Sequence, residues 1–282
     1  MLVQLETTID RARPRLPEWL RKPQSEFEAV TALKRELRDK HLHTVCESAR
    51  CPNLHECFAR GAATFMILGN LCTRGCGFCS VPKADPKKVR FDMDPQEPSH
   101  VAEQAARMGL RYVVLTSVNR DELDDGGSAH WAFTVTAVKQ ALPLARVEVL
   151  TPDFNGDTTS VERVLAAAPH VYNHNMETVS RLYRRVRPQA KYQQSLEVLA
   201  YAKRAHPEIL TKSGLMVGLG ETHEEVKELL RDLRQHGHAD IATIGQYLQP
   251  SRRNAAVARY VPPEEYAVWK QYGESLGFKA VF

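Results

Sequence analysis

The sequence predicts an α/β fold, a partial (β/α)6-type TIM barrel with an N-terminal extension, on three observations. Short apolar runs alternate with amphipathic stretches about every 30 residues, the pattern of βαβ units in a parallel sheet. Six such units follow one another from residue 63. No G-x-G-x-x-G follows the first apolar run, so the competing doubly wound open sheet lacks its usual signature.

The elements can be justified in order. Residues 1–40 are charged and interrupted by Pro14, Pro17 and Pro23, then turn helical over 25–40, where Ser25 and Glu28 fit a capping box. Residues 41–62 carry three cysteines in polar, irregular sequence, which sets the expected boundary between an extension (1–62) and a barrel (63–282). ATFMILG (63–69) reads as a buried strand. A helix over 98–109 opens with Pro and Ser and closes at Gly109. Strands are expected at 111–117, 146–151, 170–177, 210–220 and 240–248. Helices fall between them at 128–142, 158–168, through 205 and at 222–237, then at 262–277, before an extended end at 278–282. In a parallel α/β fold, ligands bind at the C-terminal ends of the strands. That rule singles out Cys72 after the first strand, Thr116, Ser117 and Asn119 after the second, and Asn175 and Glu177 after the fourth.

Composition narrows the function classes. With 282 residues, 43% hydrophobic and 26% charged, collagen-like, disordered and coiled-coil chains are excluded. A chain this long buries roughly 75% of its unfolded surface, enough for a sizeable core. No apolar run is long enough to cross a membrane, and Glu6 and Asp10 do not suit a transit peptide, so a cytoplasmic protein with no membrane partner is expected. A net charge of +4 is too mild for a dedicated nucleic-acid binder.

All six cysteines lie between Cys46 and Cys79. A disulfide framework belongs to small secreted domains, and six inert core thiols would not cluster so tightly. They read as metal or redox ligands in two sets of three, Cys46-x4-Cys51-x5-Cys57 and Cys72-x3-Cys76-x2-Cys79. Two chemistries stay open here. Structural zinc needs four closed ligands, which the sets would supply by sharing or with His41, His43 and His55. A [4Fe–4S] cube held by three thiolates keeps one iron open for a small molecule. Gly75 and Gly77 suit a loop wrapped closely on a cluster, and Phe78 would shield it from water.

CTRGCGFC, directly after the first strand, resembles the signature of the radical S-adenosylmethionine enzymes, including the aromatic before the last Cys. CESARCPNLHEC (46–57) resembles the auxiliary-cluster motif of the lipoyl synthases. TSVNRDELDDGG, NHNMETV, VRP at 186–188, TKSGLMVGLGET and IGQYLQPS are similar to the same family, over nearly the whole chain. The resemblance implies two [4Fe–4S] clusters. Cys72, Cys76 and Cys79 would hold the catalytic one, whose open iron chelates S-adenosylmethionine, and Cys46, Cys51 and Cys57 the auxiliary one. The polar strand ends Thr116, Ser117, Asn119, Asn175 and Glu177, with Arg187 shortly after, converge by barrel geometry and are expected to contact that cosubstrate. The implied reaction inserts sulfur from the auxiliary cluster at C6 and C8 of an octanoyl chain on a carrier-protein lysine. Implied partners are carrier domains of 2-oxoacid dehydrogenases or of the glycine-cleavage H protein, a reductase or ferredoxin-type electron donor and an iron–sulfur assembly carrier, with the enzyme a monomer. The family's Arg-Ser-Ser-Tyr tail, whose serine closes the auxiliary cluster, finds no counterpart before Phe282, and SRRN at 251–254 is not it. A labile auxiliary cluster is therefore expected of this chain.

Two rival functions remain at this level. A biotin-synthase-like sulfur inserter would scatter its second set of ligands along the barrel, and a non-catalytic electron carrier would not need the long chain beyond Cys79. The basic run Arg181–Lys191 reads either as a solvated helix face or as a dock for an acidic carrier, with Arg187 turned inward. His170 and His174 are expected to be packed or hydrogen-bonded, His174 sharing a strand face with Tyr172 and Met176. Met216 and Leu219 are candidates for the acyl channel or for the core.

Overall fold

Alternation of side chains along short apolar strands builds a curved, mainly parallel sheet. The computed structural model describes residues 16–21, 35, 37, 40, 42–45, 56–57, 60–89 and 93–282. The helix expected over 25–40 falls largely outside these residues, and Cys46, Cys51, His41 and His55 wholly so. Strands β1 (His43–Thr44), β2 (Ala62–Ile67), β3 (Tyr112–Ser117), β4 (Arg146–Leu150), β5 (Val171–Asn173), β6 (Leu210–Val217), β7 (Ile241–Gln246) and β8 (Ala280–Val281) lie side by side in chain order. Neighbours from β2 to β8 pair in parallel, while β1 runs antiparallel to β2 with His43 opposite Met66. The two short strands occupy the edges, so the barrel is partial.

Helices α1 (Glu97–Arg107), α2 (Ser128–Ala141), α3 (Thr158–Ala166), α4 (Tyr183–Val186), α5 (Tyr192–Ala205), α6 (His223–Gln235) and α7 (Pro263–Ser275) supply the crossovers. Their ends follow the local chemistry. Helix α6 opens with a reciprocal capping box: Thr222 Oγ1 accepts from Glu225 N, and Glu225 accepts from Thr222 N. Its buried Val226, Leu229, Leu230 and Leu233 form a stripe of helical period. The Asp157 side chain caps α3 by accepting from Thr159 N and Ser160 N. One apolar cluster joins Val113, Leu115, Val147 and Val149 to Trp131 and Val135 of α2. A second joins Leu215 and Val217 to Leu229, Leu230 and Trp269. Full burial of each such side chain contributes roughly 1.5–3 kcal/mol.

The sequence placed the fourth long strand over 170–177, but β5 ends at Asn173. Beyond His174 the backbone leaves the ladder, and Asn175 Oδ1 accepts from Gly214 N at 2.9 Å in place of a strand carbonyl. Gly214 is required there, because a Cβ would stand 2.9 Å from that oxygen and 2.8 Å from Thr243 Oγ1. Glu177 then returns to β6 at φ 64°, donating its N–H to Gly214 O and accepting from Met216 N. His174 itself still donates its N–H to Lys212 O, and its side chain is packed and hydrogen-bonded as foreseen.

A second positive-φ residue, Leu68 at 66°, directs the chain out of β2. Glu97 Oε2 accepts from Leu68 N at 2.8 Å, and Arg120 Nη1 donates to Leu68 O at 3.1 Å. The Leu68 side chain fills the space where Gly127, at φ 84°, lacks a Cβ; an added Cβ would lie 2.5 Å from Leu68 Cδ1. Gly127→Ala should therefore destabilise the fold by about 2–4 kcal/mol through backbone strain and overpacking. Thermal or denaturant unfolding checks this value, and an unchanged midpoint contradicts the packing described.

Candidate active site

The chain leaving β2 forms a cysteine loop pinned by polar bonds as well as by apolar packing, with Cys72 and Val81 against one core cluster and Phe78 against the other. Arg74, 5% exposed, is its anchor. Its guanidinium donates to both oxygens of Asp121 at 2.8 Å each, to both of Asp153 at 2.7 and 3.0 Å, and to Asn155 Oδ1. Burial would raise the Asp153 carboxyl, but the Arg74 bonds outweigh it and hold it at about 2. Around this anchor, Gly75 N donates to Gln189 Oε1, Gly77 N to Val186 O and Lys83 Nζ to Cys76 O. Asn254 Nδ2 donates to the carbonyls of Gly77 and Cys79. Neither Gly75 nor Gly77 has positive φ. What Gly77 permits is close approach, since a Cβ would sit 3.4 Å from Arg185 O.

Cys72, Cys76 and Cys79 are free thiols and line one cavity of about 210 Å³. All six residues expected to contact the cosubstrate line it too: Thr116, Ser117, Asn119, Asn175, Glu177 and Arg187. Three of them present buried polar atoms with no partner in the protein, namely Ser117 Oγ, Asn119 Oδ1 and Arg187 Nε. Thr116 differs, because its hydroxyl already donates to Leu150 O. Asn119 also steadies a thiol, its backbone N–H reaching Cys72 Sγ at 3.4 Å. Arg187 turns inward, as expected, and its Nη1 donates to the carbonyls of Asn175 and Met176 and to the Tyr183 hydroxyl. The neighbouring Arg181 faces outward and pairs with Glu225. The basic run is thus a solvated face with one residue folded into the site.

Burial pushes the Cys76 thiol up to about 11 and raises Cys79 also, with Arg187 partly offsetting the effect at Cys76. Burial likewise raises the Glu177 carboxyl, against Arg187 and Asn175. Thiols so placed ionise when a cationic centre takes the protons' place. Among the described residues, no three His, Cys, Asp or Glu converge on one point as a single zinc ion requires. Three thiols spread around one cavity wall fit a cube, in which each binds a different iron. Cys57 is half-buried and does not line this cavity.

His174 is 1% exposed and saturated: Nδ1 donates to Thr151 O at 2.9 Å, and Nε2 accepts from Ser195 Oγ at 3.0 Å. His170 Nδ1 accepts from Val147 N. Leu219 belongs to the core, and Met216 packs against it; neither lines the cavity, whose apolar side comes from Met66, Val118 and Leu150 instead. Sequence reasoning missed Arg74, Asp153, Gln189 and Asn254. An arginine inside a cysteine loop was the one visible signal.

Comparison with known proteins agrees with this geometry. The Radical SAM superfamily profile matches residues 66–233, and the profile of the N-terminal domain of lipoyl synthase matches residues 3–51. A lipoyl synthase of Thermus thermophilus is 53% identical over 97% of this chain and 83% of its own length. One of Rubrobacter xylanophilus is 51% identical over 96% and 83%. Among solved structures, methylornithine synthase superposes with a TM-score of 0.59 at 13% identity, covering 92% of this chain and 72% of that one. A hydrogenase maturase of Carboxydothermus hydrogenoformans gives 0.59 at 13% identity over 90% and 65%. These two likenesses are of fold.

Burial, reinforced by Arg187, lowers His174 to about 4, so it stays neutral in the folded protein while its unfolded form protonates below about 6.5. Its contribution is therefore whole above pH 6.5 and is lost as pH falls toward 4, amounting to about 3 kcal/mol. Denaturant melts between pH 7 and 4 should show His174→Gln gaining on the unaltered protein by that order. A pH-independent difference would mean that His174 is accessible to protons in the folded state.

Proposed function

The chain belongs to the lipoyl synthase family of the radical S-adenosylmethionine superfamily, and from this membership we propose the division of labour among its residues. Members of the family insert sulfur at C6 and C8 of an octanoyl chain carried on a protein lysine, with S-adenosylmethionine and two [4Fe–4S] clusters. We assign Cys72, Cys76 and Cys79 to the cluster that cleaves S-adenosylmethionine, and Cys46, Cys51 and Cys57 to the cluster consumed as sulfur donor. The observation that carries the first assignment is the single cavity shared by three free thiols and the unpartnered Ser117 Oγ, Asn119 Oδ1 and Arg187 Nε. For the second, Val45, the residue before Cys46, lines the same cavity.

An unactivated methylene has no acidic proton, so no general base in the cavity can begin the reaction. When bound, the cluster supplies one electron to S-adenosylmethionine and so provides the hydrogen-abstracting power. The chain's own groups do the rest. Ser117, Asn119 and Arg187 supply hydrogen-bonding atoms to an amino acid end and a ribose, and Asn175, bonded to Glu177 Oε1 at 3.1 Å, orients that carboxylate. Met66, Val118 and Leu150 keep water from the reacting carbon. Arg74 and its carboxylates hold the thiols' loop still.

Among the described residues no helix is long and apolar enough to cross a membrane. The need for six reduced thiols supports work in the cytoplasm. We further propose 2-oxoacid dehydrogenase or glycine-cleavage carrier domains as substrates, a ferredoxin-type or reductase electron donor, an iron–sulfur assembly carrier and a monomeric enzyme. Residues 1–62 and 63–282 remain the proposed units.

Two measurements test the assignment. Replacing Cys72, Cys76 or Cys79 with Ala should abolish dithionite-dependent formation of 5′-deoxyadenosine, and cleavage retained in all three variants overturns it. Ala at Cys46, Cys51 and Cys57 together should lower the iron of reconstituted protein from about eight per chain to about four. That variant should still cleave S-adenosylmethionine but deliver no sulfur to octanoyl-lysine, and normal product formation would place the donor elsewhere.

A further inference from the structure

The cavity is lined by polar groups, among them Asn175, Glu177 and Arg187, and by apolar ones, among them Met66 and Leu150. Met66 stands opposite Thr116, and Thr116 opposite Leu150, so the three form one level across β2, β3 and β4. The Thr116 hydroxyl is spent on Leu150 O, so none of these three side chains has a free donor.

Beside and below it lies a polar cluster centred on Glu148. Glu148 is two residues before Leu150 on the same strand face, and Leu150, Asn173 and Lys212 are in register across β4, β5 and β6. The Glu148 carboxylate, 3% exposed, accepts from Asn173 Nδ2 at 2.8 Å, Lys212 Nζ at 2.9 and 3.1 Å, and the Tyr112 hydroxyl at 2.6 Å. None of these four residues lines the cavity. An alkyl chain entering this cluster would part Lys212 from the buried Glu148 carboxylate and meet the unpartnered Asn173 Oδ1, with no bond to replace those lost, an unfavourable exchange.

We propose that the Met66–Leu150 shelf, backed by the polar cluster around Glu148, receives the methyl end of the saturated acyl chain and sets its length. The inference rests on the function proposed above and deepens it. C6 and C8 carry no polar mark that a hydrogen bond could read, so the enzyme must count from a mechanical stop. A shelf that disperses well against a methyl group, next to polar groups that disfavour hydrocarbon, is such a stop. It lies in the same cavity as the three thiols, which puts the chain end, rather than the carrier lysine, beside the reacting groups.

The test uses the chain with both clusters reconstituted, and octanoyl-lysyl and decanoyl-lysyl peptides. Dissociation constants and kcat/KM for sulfur insertion are compared as ratios, which cancels any general loss of folded enzyme. The unaltered chain should favour octanoyl, and Leu150→Ala and Met66→Ala should each narrow that preference at least about tenfold by opening room for the extra carbons. Leu150→Phe, which fills the shelf, should shift the ratio of dissociation constants toward a hexanoyl-lysyl peptide, added to the set for binding alone because its chain has no C8. Ratios unchanged in all three variants, or equal weakening of every peptide, overturn the proposal. Failure of the functional reading looks different: the unaltered chain would then make no lipoyl product from the octanoyl peptide.

Discussion

A single guanidinium holds the site together. Arg74 is buried between Asp121, from the loop after β3, and Asp153, from the loop after β4, so three connections at one end of the barrel share one ion cluster. A buried charge of this kind is stable only while its partners remain, and removing one partner typically costs about 3–5 kcal/mol. That asymmetry makes the arrangement effectively all-or-none. With the network closed, the cysteine loop has one position, and its thiols face Asn175, Glu177 and Arg187 across a narrow space. Packing of Cys72, Phe78 and Val81 against the core holds part of the loop, and polar bonds from Lys83, Gln189 and Asn254 hold the rest.

The rest of the site follows from strand ends that leave regular geometry. Leu68 and Glu177 both adopt positive φ where β2 and β5 end, and each is held there by hydrogen bonds to neighbouring elements. The strain is tolerated because the surrounding barrel over-determines it, and it aims two segments at one cavity. The cavity lining combines hydrogen-bonding with apolar groups, and so offers surface both to a cosubstrate rich in polar groups and to an alkyl chain.

Much of this was legible in the chain. Strand and helix positions came out within a few residues, because apolar periodicity, the Thr222–Glu225 cap and the proline and glycine punctuation are local signals. The candidate cavity residues were also found, since the ends of parallel strands converge by barrel geometry. The length of β5 was misjudged. An apolar-to-polar run cannot reveal that Asn175 will replace a backbone acceptor against Gly214, and that substitution ends the strand. Met216 and Leu219 were candidates for an acyl channel on hydrophobicity alone, which does not distinguish a residue facing the core from one facing a cavity.

The sequence by itself determined the fold class, the two cysteine sets, the family and the polar residues at the strand ends, all readable from neighbours a few positions apart. The tertiary structure alone decided which charges meet. Arg74 and Asp153 are 79 residues apart in the chain, and Glu148 and Lys212 are 64 apart. No local pattern links such pairs. Their partners are chosen only once the parallel register brings distant strands side by side, when burial makes each unpaired charge too costly to leave.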